Sequence, residues 1–409
     1  MVNDSMKYTC LFGGGAIRGA AYVGTLQALQ EVGVIPQKIA GSSVGSIVAA
    51  LYALDYSADE IKNIFMDVNF ELFKDLQFGF GPQFALSKGE VFLDWIREII
   101  EKKYYGSKYK KGKNKAVTFK DINKDLIIIT TDLTNFTCKE FSKFTTPDYE
   151  IATAIRISCT MPGLMKPIEY ENNVLVDGDL QKSMPMWKLT KNLEPENERI
   201  LEFRLEGEKY SDSKSAIQFM NTIYSCITSI CTKYIADLYG NRDEYDYLTI
   251  NTGDVIVVDF NCPVEKREEL MLSGYNQTMD YFKNILPVKK SNLLKVYSKL
   301  YKHLRILKSH LRKTRIEKFQ CGLGMLYIDI CENKEILDST IINEIKTFKN
   351  IFDKNLKYPA LFGKLKLKDI DDVSQELDKV LKIVFDKIYE LEEYIIKFSI
   401  WHSTLFKVI

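Results

Sequence analysis

The clearest sign of catalytic chemistry in the sequence is the turn Gly41-Ser42-Ser43-Val44-Gly45. A serine hydroxyl attacks an acyl carbonyl efficiently only when a base removes its proton and fixed donors stabilise the oxyanion. The Gly-x-Ser-x-Gly spacing is typical of a nucleophile elbow, because Gly41 and Gly45 leave room for a sharp turn from strand to helix. The pattern predicts Ser43 as a nucleophile at the N-terminus of an apolar helix over 44–54.

A second glycine-rich segment, the glycine loop Gly13-Gly14-Gly15-Ala16-Ile17-Arg18-Gly19, lies between a predicted strand and a predicted helix. A dinucleotide-binding loop has the spacing Gly-x-Gly-x-x-Gly, and in the register that ends at Gly19 alanine replaces the second glycine. The next predicted strand also lacks a terminal acidic residue. The backbone amides of the loop are therefore better suited to an oxyanion hole.

The histidines of the sequence do not fit a catalytic triad with Ser43. The chain has three, at 303, 310 and 402, and two of them lie in a lysine-rich helical segment. An α/β-hydrolase places its serine after several strands and its histidine on a loop. A histidine-dependent triad is therefore disfavoured, and the serine needs another base.

Four motifs follow one another along the chain: the glycine loop, the serine turn 41–45, the run Ala154-Ile155-Arg156-Ile157-Ser158-Cys159-Thr160-Met161-Pro162-Gly163, and Asp177-Gly178. In this order the motifs resemble the patatin-like phospholipases, over roughly residues 5–285. The resemblance implies a patatin-like three-layer α/β/α sandwich with a mostly parallel central sheet. It also implies a Ser-Asp dyad that needs neither a catalytic histidine nor a metal or other cofactor.

The resemblance assigns a role to each matching residue. Ser43 corresponds to the nucleophile and Asp177 to the base. An aspartate can serve as the base when it is partly desolvated and hydrogen-bonded to the serine. The oxyanion hole corresponds to the loop residues Gly14, Gly15 and Ala16, with Arg18 as their basic neighbour.

Two departures from the family pattern affect the site. Ala16 and Ile17 stand between the third glycine and Arg18, where the family usually has one residue. Asp179 follows Gly178, where the family often has glycine or alanine. One possibility is that the Asp179 carboxylate disfavours the charged form of Asp177. The other is that it faces solvent or pairs with Lys182, and we expect this second, structural role.

The elements that must position these residues alternate between strand and helix, which indicates a mostly parallel α/β architecture. The sequence pattern predicts strands over 7–12, 38–40, 126–131, 174–176, 200–203 and 255–260. It predicts helices over 18–31 and 44–54, with a further helix that begins at the capping box Ser57-Ala58-Asp59-Glu60. We expect this acyl-hydrolase domain to span 1–286.

The pattern changes in the C-terminal extension, 287–409. Residues 288–318 contain 11 basic side chains and one acid, Glu317, and leucines and a tyrosine recur there at helical spacing. This basic amphipathic helix could contact an anionic membrane through 289–318. We favour the alternative, in which its apolar face packs on the α/β core or on helices of 335–400.

The amino-acid composition disfavours several classes of protein. With 56 basic and 55 acidic side chains the net charge is +1, so no global field favours nucleic acid. The eight cysteines form no CxxC pair, which disfavours a zinc site or a disulfide framework. No signal peptide is evident, and the uncharged stretch 215–232 fits a core-packed helix better than a transmembrane one. We expect a cytoplasmic or peripherally membrane-associated protein.

The expected activity is hydrolysis of fatty-acid esters of membrane lipids, as in a phospholipase A. A lysophospholipase, a neutral-lipid lipase or a transacylase with the same dyad is the alternative within the enzyme class. A catalytically weak lipid-binding or interaction module is the alternative outside it. The sequence leaves open an activating protein partner.

Overall fold

The computed structural model describes residues 7–69, 73, 85, 87–180, 198–207, 222–223, 226–227, 229–230, 245–255, 262–334, 336–358 and 364–405, without the side chains at 198, 339 and 397–405. The chain divides into two compact units. The α/β unit comprises 3–240 and 245–280, and the helical unit comprises 281–409 with 1–2 and 241–244. The division along the chain therefore lies at 280/281, where the sequence pattern set it at 286/287.

Among the described residues, the α/β unit contains one eight-stranded sheet. Its strands are β1 (Lys7–Phe12), β2 (Pro36–Ser42), β3 (Asp125–Asp132), β4 (Thr137–Ser142), β5 (Ile168–Tyr170), β6 (Asn173–Asp177), β7 (Glu198–Glu206) and β8 (Tyr245–Asn251). The order is β5-β6-β3-β2-β1-β7-β8, with β4 paired to β3. Five neighbouring strands are parallel, namely β3, β2, β1, β7 and β8. The strands β4, β5 and β6 pair in antiparallel fashion.

Helices flank this sheet. They are α1 (Ala21–Glu31), α2 (Val44–Ala53), α3 (Ala58–Asp67), α4 (Glu90–Tyr105), α5 (Ile151–Ser158) and α6 (Val264–Asp280). Glycines let α1 and α6 approach closely, since a Cβ added at Gly274 would lie 1.9 Å from the Ala21 carbonyl oxygen. The mostly parallel sheet with flanking helices confirms the patatin-like fold class that the sequence predicts.

The helical unit contains α7 (Leu286–Arg312), α8 (Ile316–Glu332), α9 (Ser339–Asn355), α10 (Ile370–Leu405) and a short ladder of β9 (Leu356–Lys357) with β10 (Lys366–Leu367). The apolar face of α7 is buried among side chains of the other three helices. Its members are Leu293, Tyr297, Leu300, Leu304, Leu307 and Leu311. These leucines are not available to enter a membrane in this arrangement, and the preferred sequence interpretation, packing against helices of 335–400, describes the contacts correctly.

Local predictions differ in their outcome. The capping box is present at α3, where the Ser57 hydroxyl and the Glu60 carboxylate each accept the other residue's backbone amide. The predicted strand 255–260 lies outside the described residues except for Val255, and among the described residues the sheet also contains β8, which the pattern did not predict. The stretch 215–232 also lies mostly outside them. Within the described part of the chain, no helix has the length and apolarity needed to cross a bilayer.

Candidate active site

Ser43 occupies a strained turn between β2 and α2. Its backbone has φ 51° and ψ −131°, a left-handed conformation that non-glycine residues rarely adopt. A Cβ added at Gly41 would lie 2.2 Å from the Gly45 carbonyl oxygen, and one at Gly45 would lie 2.1 Å from the Phe12 carbonyl oxygen. Both flanking positions therefore require glycine, for the packing reason that the Gly-x-Ser-x-Gly pattern suggests.

The Ser43 backbone is held on both sides of the turn. Its amide donates to the Ser158 hydroxyl over 2.9 Å, and its carbonyl accepts from the amide and the hydroxyl of Ser46. The side chain retains 9% exposure, at the N-terminus of the buried helix α2. The positive end of this helix dipole favours negative charge that develops beside Ser43.

The sheet register brings Asp177 to the same place. On β3, Ile129 pairs with Ser42 of β2, and the next residue, Thr130, pairs with Asp177 of β6. Strand β6 thus begins to pair with β3 at the point where β2 ends. Gly178 confirms this proximity, because a Cβ added there would lie 3.1 Å from the Ser42 Cβ. Asp177 and the serine turn are neighbours at the carboxyl end of β2.

Asp177 is buried and its backbone is fixed. The side chain is 1% exposed, and its Oδ1 accepts the Asp179 amide over 2.8 Å. Its own amide donates to the Thr160 carbonyl, and its carbonyl accepts from the Thr131 hydroxyl. Such an aspartate is largely withdrawn from water, as a carboxylate that accepts a serine proton should be.

Ser158 joins the serine turn to the aspartate, a role that the sequence did not suggest. Its hydroxyl accepts the Ser43 amide and donates to the Ile129 carbonyl over 2.6 Å, while its carbonyl accepts the Gly178 amide over 3.3 Å. Ser158 lies at the end of α5, within the run 154–163. The only signal in the sequence was its position in that motif.

Arg156 in the same run organises the neighbouring loops. Its side chain, 2% exposed, donates to the carbonyls of Lys88, Gly89 and Lys166 and to the Thr160 hydroxyl. A buried guanidinium that satisfies four acceptors fixes the chain segments that supply them. Arg156 therefore supports the segment that holds the Asp177 amide.

The glycine loop lies directly against the nucleophile. A Cβ added at Gly14 would lie 2.9 Å from the Ser43 Cβ, and the Gly14 amide donates to Asp179 Oδ1 over 3.0 Å. Gly15 and Ala16 have φ values of 155° and 47°. Among the hydrogen bonds of the described residues, none uses the amide of Gly15 or Ala16 as donor.

Arg18 is directed toward the ends of β7 and β8. Its Nε donates to the Val255 carbonyl over 2.6 Å, and a Cβ added at Gly207 would lie 2.5 Å from its Nη2. Burial lowers the pKa of the Arg18 guanidinium from its ordinary value. Arg18 thus lies on the same edge of the sheet as Ser43, with its side chain anchored to the neighbouring chain segments.

Asp179 does not face solvent. The residue is 5% exposed, and its Oδ1 accepts from the Gly14 amide and the Ser42 hydroxyl. Arg204 on β7 places Nη1 3.5 Å from the same oxygen. The expectation that Asp179 faces solvent is wrong, because the β7 cation and the glycine loop enclose it, and Lys182 lies outside the described residues.

A buried network of charges continues behind Asp179. Arg204 Nε contacts Glu202 Oε1, and the Tyr245 hydroxyl donates to Glu202 Oε2. Burial lowers the pKa of Arg204, but the carboxylates of Glu202 and Asp179 outweigh it and raise that pKa above its ordinary value. Burial, reinforced by Glu202, raises the pKa of Tyr245. Arg204 is therefore a charged partner of both acids.

Two other reactive residue types fit the site poorly. Burial raises the pKa of the Cys159 thiol, and the Asp177 carboxylate raises it further, so the thiol stays protonated at neutral pH. His303 lies in α7 of the helical unit, where its Nδ1 is 2.9 Å from Asp329 Oδ2. Within the described residues, no group of three or more His, Cys, Asp or Glu side chains could hold a metal ion.

Residues 11–189 match the family model described as patatin-like phospholipase. This region is a patatin-like phospholipase domain. The chain is 24% identical over 293 residues to the uncharacterized protein YqhO of Bacillus subtilis, covering 67% of this chain and 97% of that one. It is 30% identical over 185 residues to the probable lipid hydrolase 463L of Invertebrate iridescent virus 6, covering 44% and 61%.

VipD from Legionella pneumophila superposes with a TM-score of 0.51 and 15% identity, covering 95% of this chain and 89% of that chain. At this level of identity the likeness concerns the fold alone.

Proposed function

We propose that the patatin-like domain is a lipid acyl hydrolase of the phospholipase A type, with Ser43 as nucleophile and Asp177 as base. The observation that carries the proposal is the register on β3, where Ser42 and Asp177 pair with consecutive residues. This register would allow Asp177 to activate Ser43 without a catalytic histidine. The family match and the relative named probable lipid hydrolase support a lipid ester as substrate.

The reaction proceeds in two steps. Ser43 Oγ attacks the ester carbonyl while Asp177 accepts its proton, and the protonated Asp177 then donates that proton to the departing alkoxide of the lysolipid. Water attacks the resulting acyl-serine and gives its proton to Asp177, which returns it to Ser43 Oγ as the fatty acid leaves. Asp177 thus acts as base and acid in each half of the cycle.

The oxyanion of each tetrahedral intermediate needs fixed donors. The Gly15 and Ala16 amides are the best candidates, since the Gly14 amide already donates to Asp179. The N-terminus of α2 adds its dipole at Ser43. In this proposal Gly14 contributes its lack of a side chain, and Arg18 contributes a nearby positive charge.

Two substitutions test the dyad. Ser43→Ala and Asp177→Asn should each abolish fatty-acid release from phosphatidylcholine vesicles, because they remove the nucleophile and the proton acceptor respectively. A fluorophosphonate probe should label the wild type and not Ser43→Ala. Far-ultraviolet circular dichroism and thermal unfolding would establish that both variants fold. Full activity in either folded variant would refute the dyad.

The substrate class needs a separate measurement. Product profiling with diacyl phospholipid, lysophospholipid and triacylglycerol, with Ser43→Ala as blank, separates a phospholipase A from a lysophospholipase and a neutral-lipid lipase. Transfer of the acyl group to an added alcohol would indicate a transacylase. Failure of the fluorophosphonate probe to label folded wild type would support a catalytically weak binding module.

A peripheral membrane contact through 289–318 remains part of the proposal in a narrower form. The leucines of α7 are buried, but Arg312, Lys313, Arg315 and Lys318 are exposed where α7 ends and α8 begins. Four cations close together in sequence favour contact with anionic head groups through charge alone.

A further inference from the structure

A single oxygen atom of Asp179 joins three distant parts of the chain. Its Oδ1 accepts the Gly14 amide over 3.0 Å across 165 residues of sequence. The same oxygen accepts the hydroxyl of Ser42, which is the residue before the nucleophile. The loop and the serine turn are therefore bound to a common acceptor, contributed by the segment that follows Asp177.

The Asp179 carboxylate has partners that can compensate a buried negative charge. An ionised carboxylate that is 5% exposed is costly unless donors or a cation compensate it. Asp179 accepts hydrogen bonds from two donors and contacts the Arg204 guanidinium. The Arg204 side chain is itself 3% exposed and is held by Glu202. Asp179, Arg204 and Glu202 are thus all buried behind the glycine loop, which indicates that Asp179 holds the loop in a specific position.

The position of the Gly14 amide controls the next two amides along the chain. Gly15 and Ala16 both have left-handed φ values, and the helical turn that follows begins only at Ala16. Gly14 fits between Ser43 and Asp179, since an added Cβ would lie 2.5 Å from Asp179 Oδ2. Release of the Gly14 amide would therefore leave the Gly15 and Ala16 amides without their anchor on the nucleophile side.

We propose that Asp179 is a positioning residue that fastens the glycine loop to the serine turn, so that the Gly15 and Ala16 amides face the reacting carbonyl. The carboxylate does not act as a second base, because Gly14, Ser42 and Arg204 engage it. The Asp179 backbone amide donates to Asp177 Oδ1 over 2.8 Å. The catalytic part of this inference rests on the proposed function, whereas the structural part does not.

The test compares Asp179→Ala with Asp179→Asn. Alanine removes the acceptor, so kcat on phosphatidylcholine vesicles should fall on the order of tenfold or more, with KM little changed, as for loss of an oxyanion-hole contact. Asparagine keeps an acceptor oxygen without the charge, so it should restore most of kcat. The acid limb of the kcat–pH profile should stay in place in both variants.

Hydrogen exchange provides a readout that needs no substrate. A peptide covering residues 12–18 should exchange faster in Asp179→Ala than in wild type, and at nearly the wild-type rate in Asp179→Asn. Asp132→Ala is the matched control, because Asp132 is a buried carboxylate whose Oδ1 accepts the Thr134 and Asn135 amides of another loop. This control should speed exchange at 133–136 and leave 12–18 unchanged.

The outcomes separate the two proposals. Unchanged exchange at 12–18 in Asp179→Ala would overturn the positioning role, as would an asparagine variant that loses as much kcat as alanine while its acid limb shifts. Faster exchange in a chain that hydrolyses no lipid would support the positioning role and reject the proposed function. If Asp179→Ala does not fold, Asp179→Ser, whose hydroxyl is too short to span the same distance, provides the same comparison with asparagine.

Discussion

The edge of the sheet at Ser43 and the core of the helical unit are stabilised in opposite ways. The sheet edge concentrates left-handed backbone at Gly15, Ala16 and Ser43 and buried charge at Asp179 and Arg204. In the helical unit, by contrast, the apolar side chains of the helices form one cluster. Strained backbone and buried charge each cost free energy, so their concentration at one edge supports the proposal that this edge is the functional region.

The two regions should respond differently to substitution. At the sheet edge the backbone itself is in contact with backbone, so even one methyl group has no space. In the helical unit the contacts are between side chains, and positions outside the cluster tolerate substitution. Four substitutions, taken from the largest expected effect to the smallest, test this difference.

Gly45→Ala should have the largest effect. Its Cβ would lie 2.1 Å from the Phe12 carbonyl oxygen, which is backbone and cannot rotate away. We expect a loss of about 3 kcal/mol in the free energy of unfolding, the upper end for overpacking, together with loss of fluorophosphonate labelling at Ser43. Urea unfolding and probe labelling measure the two effects. Normal labelling in this variant would contradict the described elbow.

Leu304→Ala should have the second largest effect, because it should lower the stability of the helical unit without a direct effect on the turn at Ser43. Leu304 has no exposed surface within the apolar cluster, and truncation of a buried leucine costs about 2–5 kcal/mol. Ile306 on the same helix is 45% exposed, so Ile306→Ala is the matched control with an expected cost below about 0.5 kcal/mol. Equal destabilisation of the two variants in thermal unfolding would show that the α7 leucines are not packed as described.

Charge reversal at the end of α7 tests the membrane contact. Arg312→Glu with Arg315→Glu should weaken binding to phosphatidylserine-containing vesicles at least tenfold, since each basic residue near an anionic surface contributes about 1 kcal/mol. Lys346→Glu with Lys382→Glu makes the same change in net charge at exposed positions on α9 and α10. Vesicle cosedimentation in low salt measures both. If the two pairs weaken binding equally, net charge and not the 312–318 cluster controls it.

Gly324→Ala should give the smallest effect, and one of opposite sign to Gly45→Ala. Gly324 lies within α8, and a Cβ added there would meet nothing within 4 Å. Alanine favours a helix interior over glycine by up to about 1 kcal/mol, so the melting temperature should rise slightly. A lower melting temperature would mean that α8 packs against something at this position.

Several features of the fold could be predicted because neighbouring residues specify them. The α3 capping box depends on residues three positions apart, and the buried face of α7 depends on leucines one helical turn apart. The strand-turn-helix form around Ser43 likewise follows from glycines on either side of it. Strand β8, Tyr245–Asn251, was not predicted in this way, and the predicted strand 255–260 lies outside the described residues except for Val255.

The sequence by itself determined the local geometry at Ser43, the apolar face of α7 and the family to which the α/β unit is similar. Only the tertiary structure decided what surrounds the nucleophile. Asp179 reached its partner Gly14 across 165 residues, and Ser43 reached Ser158 across 115. No periodicity or spacing encodes such contacts, because the register of β3 with β2 and β6 creates them. The physical reason is that local conformation depends on near neighbours, whereas burial and pairing of charge depend on the whole sheet.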